Sequence, residues 1–572
     1  MNNPTFTISY IINYHNGGGI GHIVIHAPAY CARWSYENPS TLFVMDPDGN
    51  GSHWVELPIT GGCTESRSGK RIEHEPLELH ALHSNPDNVK TLNGIHVTRE
   101  AELRFRSASN TGVGFEYRLV FHANRIEFIM KLCSVTPLIL EQCTLGCNRE
   151  SATRIVADMV FDPNPASHGI FRHPAHHACS MSERWFTPPP FCYPYRLSDS
   201  TWISVSLEPQ ESQMQFCRFQ TITPMPEGLG FRIAYDSLPE FHGEWEVPAL
   251  VFRFGALDEF DALKRYADGL VTAGKVERPH RQSAPWWRGV MVCGWHEQMR
   301  QATLHGGEGG DYCTPAVYRS HIAALDQAGI QFDILTLDDS WQKRHGLWEV
   351  DTTKWPDLRG FIEEQHDQGR RVLLWVCILP DGLPDHELYH VDQARLLDPL
   401  NPAYLQRLND TFGQMFGSGP QDYHADGIKL DFTGILPPPG VHHAIKPLHG
   451  MEYLQAQFKA IHNAAKQAKP DCLLDFQSAN PHFAGLYDIT RLNDFFLPGD
   501  QAVRVMSTRA RIARAVNFGA LVDMDGPRHT DYFQKMHAFG NISLYLTNDD
   551  LKEPAYVDAI RAGIQQFKAS QE

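Results

Sequence analysis

Beyond Trp286 the chain alternates short apolar runs with amphipathic stretches. Eight strand candidates can be counted: Gly289 to Trp295, Phe332 to Asp338, Arg371 to Cys377, Gly427 to Phe432, Leu473 to Gln477, Asp494 to Leu497, Gly519 to Asp523 and Asn541 to Thr547. Helical patterns such as TPAVYRSHIAALDQAG and YLQAQFKAIHNAAKQA lie between them, and several stop at a glycine, as a helix does before its chain turns into the next strand. Strand–helix alternation predicts parallel strands, and eight of them close a (β/α)8 TIM barrel whose polar groups gather at the strands' C-terminal ends. Three of the runs carry carboxylates at or near that end: FDILTLDDSW, ADGIKLDF and RLNDFFLPGD.

The first 255 residues read differently. TFTISYII, GHIVIHAP, AELRFRS, TWISVSLEP and ALVFRFGA are short alternating runs separated by Gly, Pro and Asn/Asp turns, without helices between them. That pattern predicts an N-terminal β-sandwich (a supersandwich). In FEYRLVFHANRIEFIMKL, Asn124 marks a hairpin turn. A helix follows, with Phe260, Leu263, Tyr266 and Leu270 at helical spacing, and the polar ERPHRQSAP then makes a linker. The division falls near Lys275, giving 1–275 as the sandwich with its connecting helix and 276–572 as the barrel. At 572 residues two domains are expected in any case.

A formal charge of −17 without a basic stripe argues against nucleic acid and anionic membrane as partners. No apolar run approaches the roughly 20 residues of a membrane helix, and the N-terminus lacks the basic and apolar regions of a secretory signal. Twelve scattered cysteines without a CxxC pair fit reduced thiols, so a cytoplasmic location is expected.

Asp431 ends the fourth candidate strand two residues after Lys429, a cation on the same strand face that would keep it ionised. That suits a nucleophile; a plain salt bridge at a strand end explains it equally. Asp494 follows Arg491 by three residues, and glycoside hydrolysis needs two carboxyl groups flanking the scissile bond. Asp500 is its rival, though Pro498 and Gly499 suggest that it has entered a loop. Asp338 and Asp339 sit before Trp341 and Gln342; vicinal sugar hydroxyls would relieve their repulsion and the tryptophan would supply an apolar plate, whereas an N-cap at Asp339 or Ser340 is the plainer account. The segment FRHPAHHAC offers His173, His176, His177 and Cys179, with His168 just before, but no second cluster at finger spacing, so no metal is assigned and a histidine-rich loop lining a cleft explains it as well. HHAIKPLH, from His442 to His449, reads as a loop bordering the site.

Taken together, these motifs resemble the α-galactosidase clan of glycoside hydrolases, families 36 and 27, and more distantly family 31. LDDSWQ is similar to the clan's DDGWQ at strand two, GIKLDF to the KxD strand that carries the nucleophile, and the Arg491-x-x-Asp494 spacing to the acid/base motif of melibiase-like members. Trp295 and Trp375 sit where the clan places tryptophans after strands one and three. The sequence departs from the family at Ser340, which stands for a glycine, at LLWVCILPDG after strand three and at QSANPHF after strand five, and no C-terminal β-domain is expected after the barrel. The resemblance implies an exo-acting retaining α-glycosidase, an α-galactosidase first, with Asp431 as nucleophile and Asp494 as acid/base. Asp338, Asp339, Trp341, Lys429, Arg491, Trp295, Trp375 and Gln477 would bind an oligosaccharide or α-glycoside. No cofactor is implied, and a homo-oligomer is left open. The alternatives are a transglycosylase or an α-glucosidase-type activity on the same site, or a carbohydrate-binding protein without activity.

Overall fold

The computed structural model describes residues 8–14, 20–49, 53–66, 70–73, 78–83, 90–92, 95–98, 100–108, 112–148, 151–155, 158–159, 189–198, 201–225, 228–281, 283–391, 394–433, 436–439, 443–492, 499–526 and 528–571. The chain forms two compact units. One comprises Met1–Pro163, Phe191–Val276 and His449–Glu452; the other comprises Asn164–Pro190, Glu277–Leu448 and Tyr453–Glu572.

Among the described residues the first unit contains two antiparallel sheets, of eight and thirteen strands. Their strands arise from period-two patterning: in Val113–Phe121, Val113, Phe115, Tyr117, Leu119 and Phe121 are buried while Gly114, Glu116 and Arg118 are less so. This strand pairs with the long strand Arg125–Leu145 through a tight turn at His122 to Asn124, where the hairpin was expected. Rings from the two sheets meet, Tyr30 with Phe254 at 4.8 Å and Trp34 with Phe105 at 5.9 Å between centroids. The helix Glu259–Thr272 starts because the Asp258 carboxylate accepts the amides of Phe260 and Asp261, and it buries Leu263, Tyr266 and Leu270. Gly269 is required within it, since a Cβ there would lie 2.3 Å from Nη2 of Arg253, which is buried against Glu208.

The second unit is a closed barrel of eight parallel strands: β1 (Met291–Cys293), β2 (Ile334–Leu337), β3 (Arg371–Cys377), β4 (Gly427–Asp431), β5 (Leu473–Phe476), β6 (Ile489–Arg491), β7 (Leu521–Met524) and β8 (Asn541–Leu544). The sequence reading puts the sixth strand at Asp494 to Leu497, and this is corrected: it is Ile489–Arg491 that pairs with β5 and β7. The cause is chemical. FFL is the stronger apolar signal, whereas β6 contributes Thr490 and Arg491 to a polar barrel interior. Residues 494–497 themselves lie outside the described residues. Met291, Ile334, Leu373, Leu473 and Ile489 form an apolar floor with Trp287. Below them Arg281 donates to the main-chain oxygens of Ala484, Tyr487, Asn517 and Phe518, fastening the linker to the loops around β6. Among the described residues no helix is long and apolar enough to cross a membrane.

Candidate active site

Every barrel strand ends on, or is followed at once by, a polar or aromatic side chain, and together these make the mouth. Cys293 ends β1, Asp338 follows β2, Cys377 ends β3, Asp431 ends β4, Gln477 follows β5, Arg491 ends β6, Asp525 lies just past β7 and Tyr545 follows β8. A site at the C-terminal ends of the strands is what barrel geometry provides.

Asp431 is buried and held from several sides. The Trp375 indole N–H donates to its Oδ2 at 3.1 Å, the Phe432 amide donates to Oδ1 at 3.0 Å, and Nη1 of Arg491 lies 3.5 Å from Oδ2. Burial alone would raise its pKa. The nearby charges of Arg491 and Lys429, with these hydrogen bonds, outweigh burial and hold the carboxyl below its ordinary range, so it is ionised at neutral pH. Phe432 takes a φ of 54°, a left-handed conformation that is costly for a bulky residue and that turns the chain directly after Asp431.

Lys429 does not serve Asp431 chiefly, as its place on the strand suggests. Its Nζ lies 2.6 Å from Oδ2 of Asp338, both side chains buried. Burial works against the ammonium, but the Asp338 carboxylate overrides it and the lysine stays charged. The Cys293 thiol donates to the same Asp338 oxygen at 2.9 Å; burial raises that thiol's pKa and keeps it a donor. The repulsion expected between Asp338 and Asp339 is thus relieved by protein groups. Asp339 accepts from Gln342 at 3.0 Å and pairs with His345 at 3.0 Å, while its amide donates to Asp338. Burial favours a neutral His345, yet Asp339 and Asp381 outweigh it and hold the ring up at about 9. Its ring packs against Trp375, which Trp348 also approaches edge-on.

Arg491 is the pivot of the far side. Both Nε and Nη2 donate to Oδ2 of Asp525, at 3.1 and 3.0 Å. Asp523 sits beside Arg491 in the register of β6 and β7, and Asp475 sits beside Lys429 in the register of β4 and β5. Burial, and for Asp475 and Asp525 the neighbouring Asp523 carboxyl, push these carboxyls upward; Asp525 reaches about 6.

The other residues singled out in the sequence distribute as follows. Trp341 is fully buried, its indole donating to the Trp375 carbonyl and its ring meeting Tyr423, so it braces Trp375 and offers no open plate. Trp295 is half-buried and opens a helix, Trp295–His305, instead of ending β1. Gln477 is fully buried, and neither atom of its side-chain amide has a partner among the described residues. Asp494 and the histidine-rich stretch from His168 to Cys179 lie outside the described residues, as does His442. The backbone of Asp500 is in the first turn of the helix Gly499–Val516, where the sequence reading has it in a loop. Among the described residues no group of three or more His, Cys, Asp or Glu is arranged to hold a metal ion. Sequence reasoning missed His345, Asp475, Asp523 and Asp525. LLDF and LVDM each carry an aspartate inside an apolar run, and that was the available signal.

Residues 301–433, which contain β2 to β4 and Asp431, match the model of the glycosyl hydrolases family 31 TIM-barrel domain. No curated protein matches the sequence. Among solved structures, the chain is similar to the ER glucosidase II heterodimeric complex (TM-score 0.50, 10% identity, covering 98% of this chain and 68% of that one). It is also similar to the glucosidase II alpha subunit in its Glc1Man2-bound form (0.50, 11%, 97% and 59%), and to a cycloalternan-degrading enzyme from Trueperella pyogenes (0.48, 11%, 95% and 82%). At such identities the first two show a likeness of fold. The family match reverses the order of the sequence resemblances: it falls on family 31, read as the more distant likeness, and not on families 36 and 27. The chain is a glycoside hydrolase, and its barrel carries a family 31-type TIM-barrel segment.

Proposed function

We propose that the protein is an exo-acting retaining α-glycosidase of the α-glucosidase type, working by double displacement on an oligosaccharide or α-glycoside. The observation that carries the reading is Asp431: a buried, ionised carboxylate ending β4, inside the segment that matches the family 31 domain. In the first step its oxygen attacks the anomeric carbon while a carboxylic acid protonates the departing oxygen; in the second, that group takes a proton from the water that releases the sugar. The acid/base comes from the loop after β6, with Asp494 as first choice and Asp500 as the alternative. Asp338 and Asp339, oriented by Lys429 and His345, and Gln477, whose amide has no partner among the described residues, would read the hydroxyls of the bound sugar. No step calls for a cofactor. Residues 276–572 are the catalytic domain in this reading, and the antiparallel sheets before it form a β-sandwich.

Family 31 supports the gluco configuration over the galacto configuration, and the two structures alike in fold are of glucosidase II. The reading is tested with a panel of aryl α-glycosides, glucoside, galactoside and xyloside, with NMR of the first-formed anomer. Release of α-glucose as the first anomer is expected. A β-anomer first would overturn retention, and turnover of the galactoside alone would restore the α-galactosidase reading.

A further inference from the structure

Resting on the reading of Asp338 and Asp339 as the carboxyls that take the sugar's hydroxyls, we propose that Tyr318 and Gln298 are positioning residues for sugar recognition, which clasp the main chain of the two aspartates from both ends and so set where their carboxylates stand. The clasp is a closed ring of hydrogen bonds. The Asp338 amide donates to the Tyr318 hydroxyl at 2.8 Å, and that hydroxyl donates to Oε1 of Gln298 at 2.8 Å. Nε2 of Gln298 then donates to the Asp339 carbonyl at 3.2 Å and to the Gly309 carbonyl at 3.3 Å. Each atom's role follows from the next. A hydroxyl that accepts from an amide N–H turns its own proton elsewhere, and a side-chain amide facing two carbonyls presents its nitrogen to them. Burial raises the Tyr318 hydroxyl well above the ordinary tyrosine range, so it keeps the proton that it donates.

Neighbouring segments supply the ring. Gln298 comes from the helix Trp295–His305 after β1, and Tyr318 from the helix Pro315–Gln327, which Thr314 starts by accepting the Val317 amide. Both side chains are fully buried. The Tyr318 ring is lodged against Trp355 and Phe361, with centroids 5.8 and 6.4 Å away, and this fixes where its hydroxyl stands. Gly294 leaves the space: a Cβ there would lie 2.3 Å from the hydroxyl oxygen. The Cys313 thiol, next to Thr314, adds a contact by donating to the Asp338 carbonyl at 3.5 Å.

The chain turns sharply at this point, which is why its backbone needs holding. Ser340 follows Asp339 with a φ of 76°, a left-handed conformation that persists only where the surroundings hold it. Lys354 helps by donating to the carbonyls of Ser340 and Gly310. The side chains of the two aspartates are tied separately, Asp338 by Lys429 and Cys293, Asp339 by Gln342 and His345. Those ties place the carboxylates only as well as the backbone beneath them is placed. Asp339 is the more open of the two, its side chain 22% exposed against 4% for Asp338, so a bound hydroxyl reaches it first. A displacement of about 1 Å takes such a carboxylate out of hydrogen-bond distance, and a misplacement of that size costs about a hundredfold in rate.

The test compares the aryl α-glycoside that the enzyme turns over with its mono-deoxy analogues, each lacking one hydroxyl, on the wild type, Tyr318→Phe and Gln298→Met, with Asp338→Asn and Asp339→Asn as references. Loss of a hydroxyl that the pair reads should lower kcat/KM of the wild type by about a hundredfold or more, because the carboxylate is left unpaired. Tyr318→Phe keeps the packed ring. It should lose about ten- to a hundredfold on the parent glycoside, chiefly through KM, and little further on the deoxy analogue to which Asp339→Asn is also indifferent. A merely structural role would lower the melting temperature and the folded fraction while leaving the ratio between parent and deoxy substrates as in the wild type, so an unchanged ratio in folded Tyr318→Phe overturns the inference. If Tyr318→Phe does not fold, the same ratio in Gln298→Met decides it, since that variant removes the donor to Asp339 and keeps the Tyr318 ring. If Asp338→Asn and Asp339→Asn both distinguish every deoxy analogue as the wild type does, the pair reads no hydroxyl, and that reading falls together with this inference.

Discussion

The ammonium of Lys429 lies 2.6 Å from Asp338, so the lysine two residues before Asp431 is bound to the carboxylate that follows the second strand. This pair crosses the barrel from β4 to β2 and orders both sides of the mouth. Removing one member leaves the other charge buried alone. Asp338→Asn should therefore cost about 3 kcal/mol of stability, read by urea unfolding, and the double variant with Lys429→Met should recover part of it. Equal losses that simply add in the cycle would show that the pair is not coupled.

A second charged centre lies at the opposite end of the barrel. Asp426, fully buried before β4, accepts from His366 at 2.7 Å, Lys469 at 2.9 Å and the Val372 amide at 2.9 Å. Burial would raise its pKa, but these partners outweigh it and hold the carboxyl down at about 2. A depressed folded pKa adds stability above the unfolded value near 3.8 and loses it as pH falls toward 2, a contribution of about 2 kcal/mol. The stability gap between wild type and Asp426→Asn should hold constant above pH 5 and close between pH 4 and 2. A gap unchanged down to pH 2.5 would mean that Asp426 contributes only through its hydrogen-bond geometry.

Ser340 has a φ of 76°, and its Cβ lies 2.9 Å from where a Cβ on Gly310 would stand. Left-handed backbone costs a side-chain-bearing residue roughly 1 kcal/mol. Ser340→Gly should leave the melting temperature unchanged or raise it by a few degrees, whereas Gly310→Ala should lower it through the clash with Ser340. A large drop on Ser340→Gly would assign the serine hydroxyl a role that its contacts do not show.

These residues also mark how much the sequence discloses. The glycine that the α-galactosidase motif places at position 340 signals the positive φ observed there, and seven of the eight barrel strands coincide with apolar runs whose period is visible in the chain. What stays hidden is partner choice across the barrel. Lys429 and Asp431 are neighbours on one strand, so linear reading pairs them, yet strand tilt and register bring Lys429 to Asp338 and Arg491 to Asp525. Asp475 and Asp523 look like interruptions of hydrophobic strands because nothing local shows that the barrel interior above its floor is polar. Trp341 failed as a sugar platform for the same reason: a tryptophan next to two aspartates gives no sign that Trp375 needs bracing from behind.

The last prediction decides the acid/base. Asp494 follows Arg491, which pairs with Asp525 and lies 3.5 Å from Asp431, and the backbone of Asp500 is in the first turn of the helix Gly499–Val516 instead of a loop. Both stand after β6, which β5 separates from β4 in the closed barrel, so either is a candidate for the second carboxyl that flanks the scissile bond. Acid assistance matters most when the departing oxygen is a poor leaving group, and it contributes on the order of 10² to 10⁴ in rate. The acid/base variant should therefore lose that much on an alkyl or sugar aglycone and little on the first step with a dinitrophenyl glucoside. Its alkaline limb should vanish, and azide should speed its second step by giving an α-glucosyl azide without general-base help, whereas azide added to Asp431→Gly should rescue only by forming a β-glucosyl azide, of inverted configuration, in one step. We expect Asp494→Ala to show the first pattern and Asp500→Ala to keep the wild-type dependence on leaving group. The reverse outcome gives the role to Asp500 and leaves Asp494 as a residue of the connecting loop.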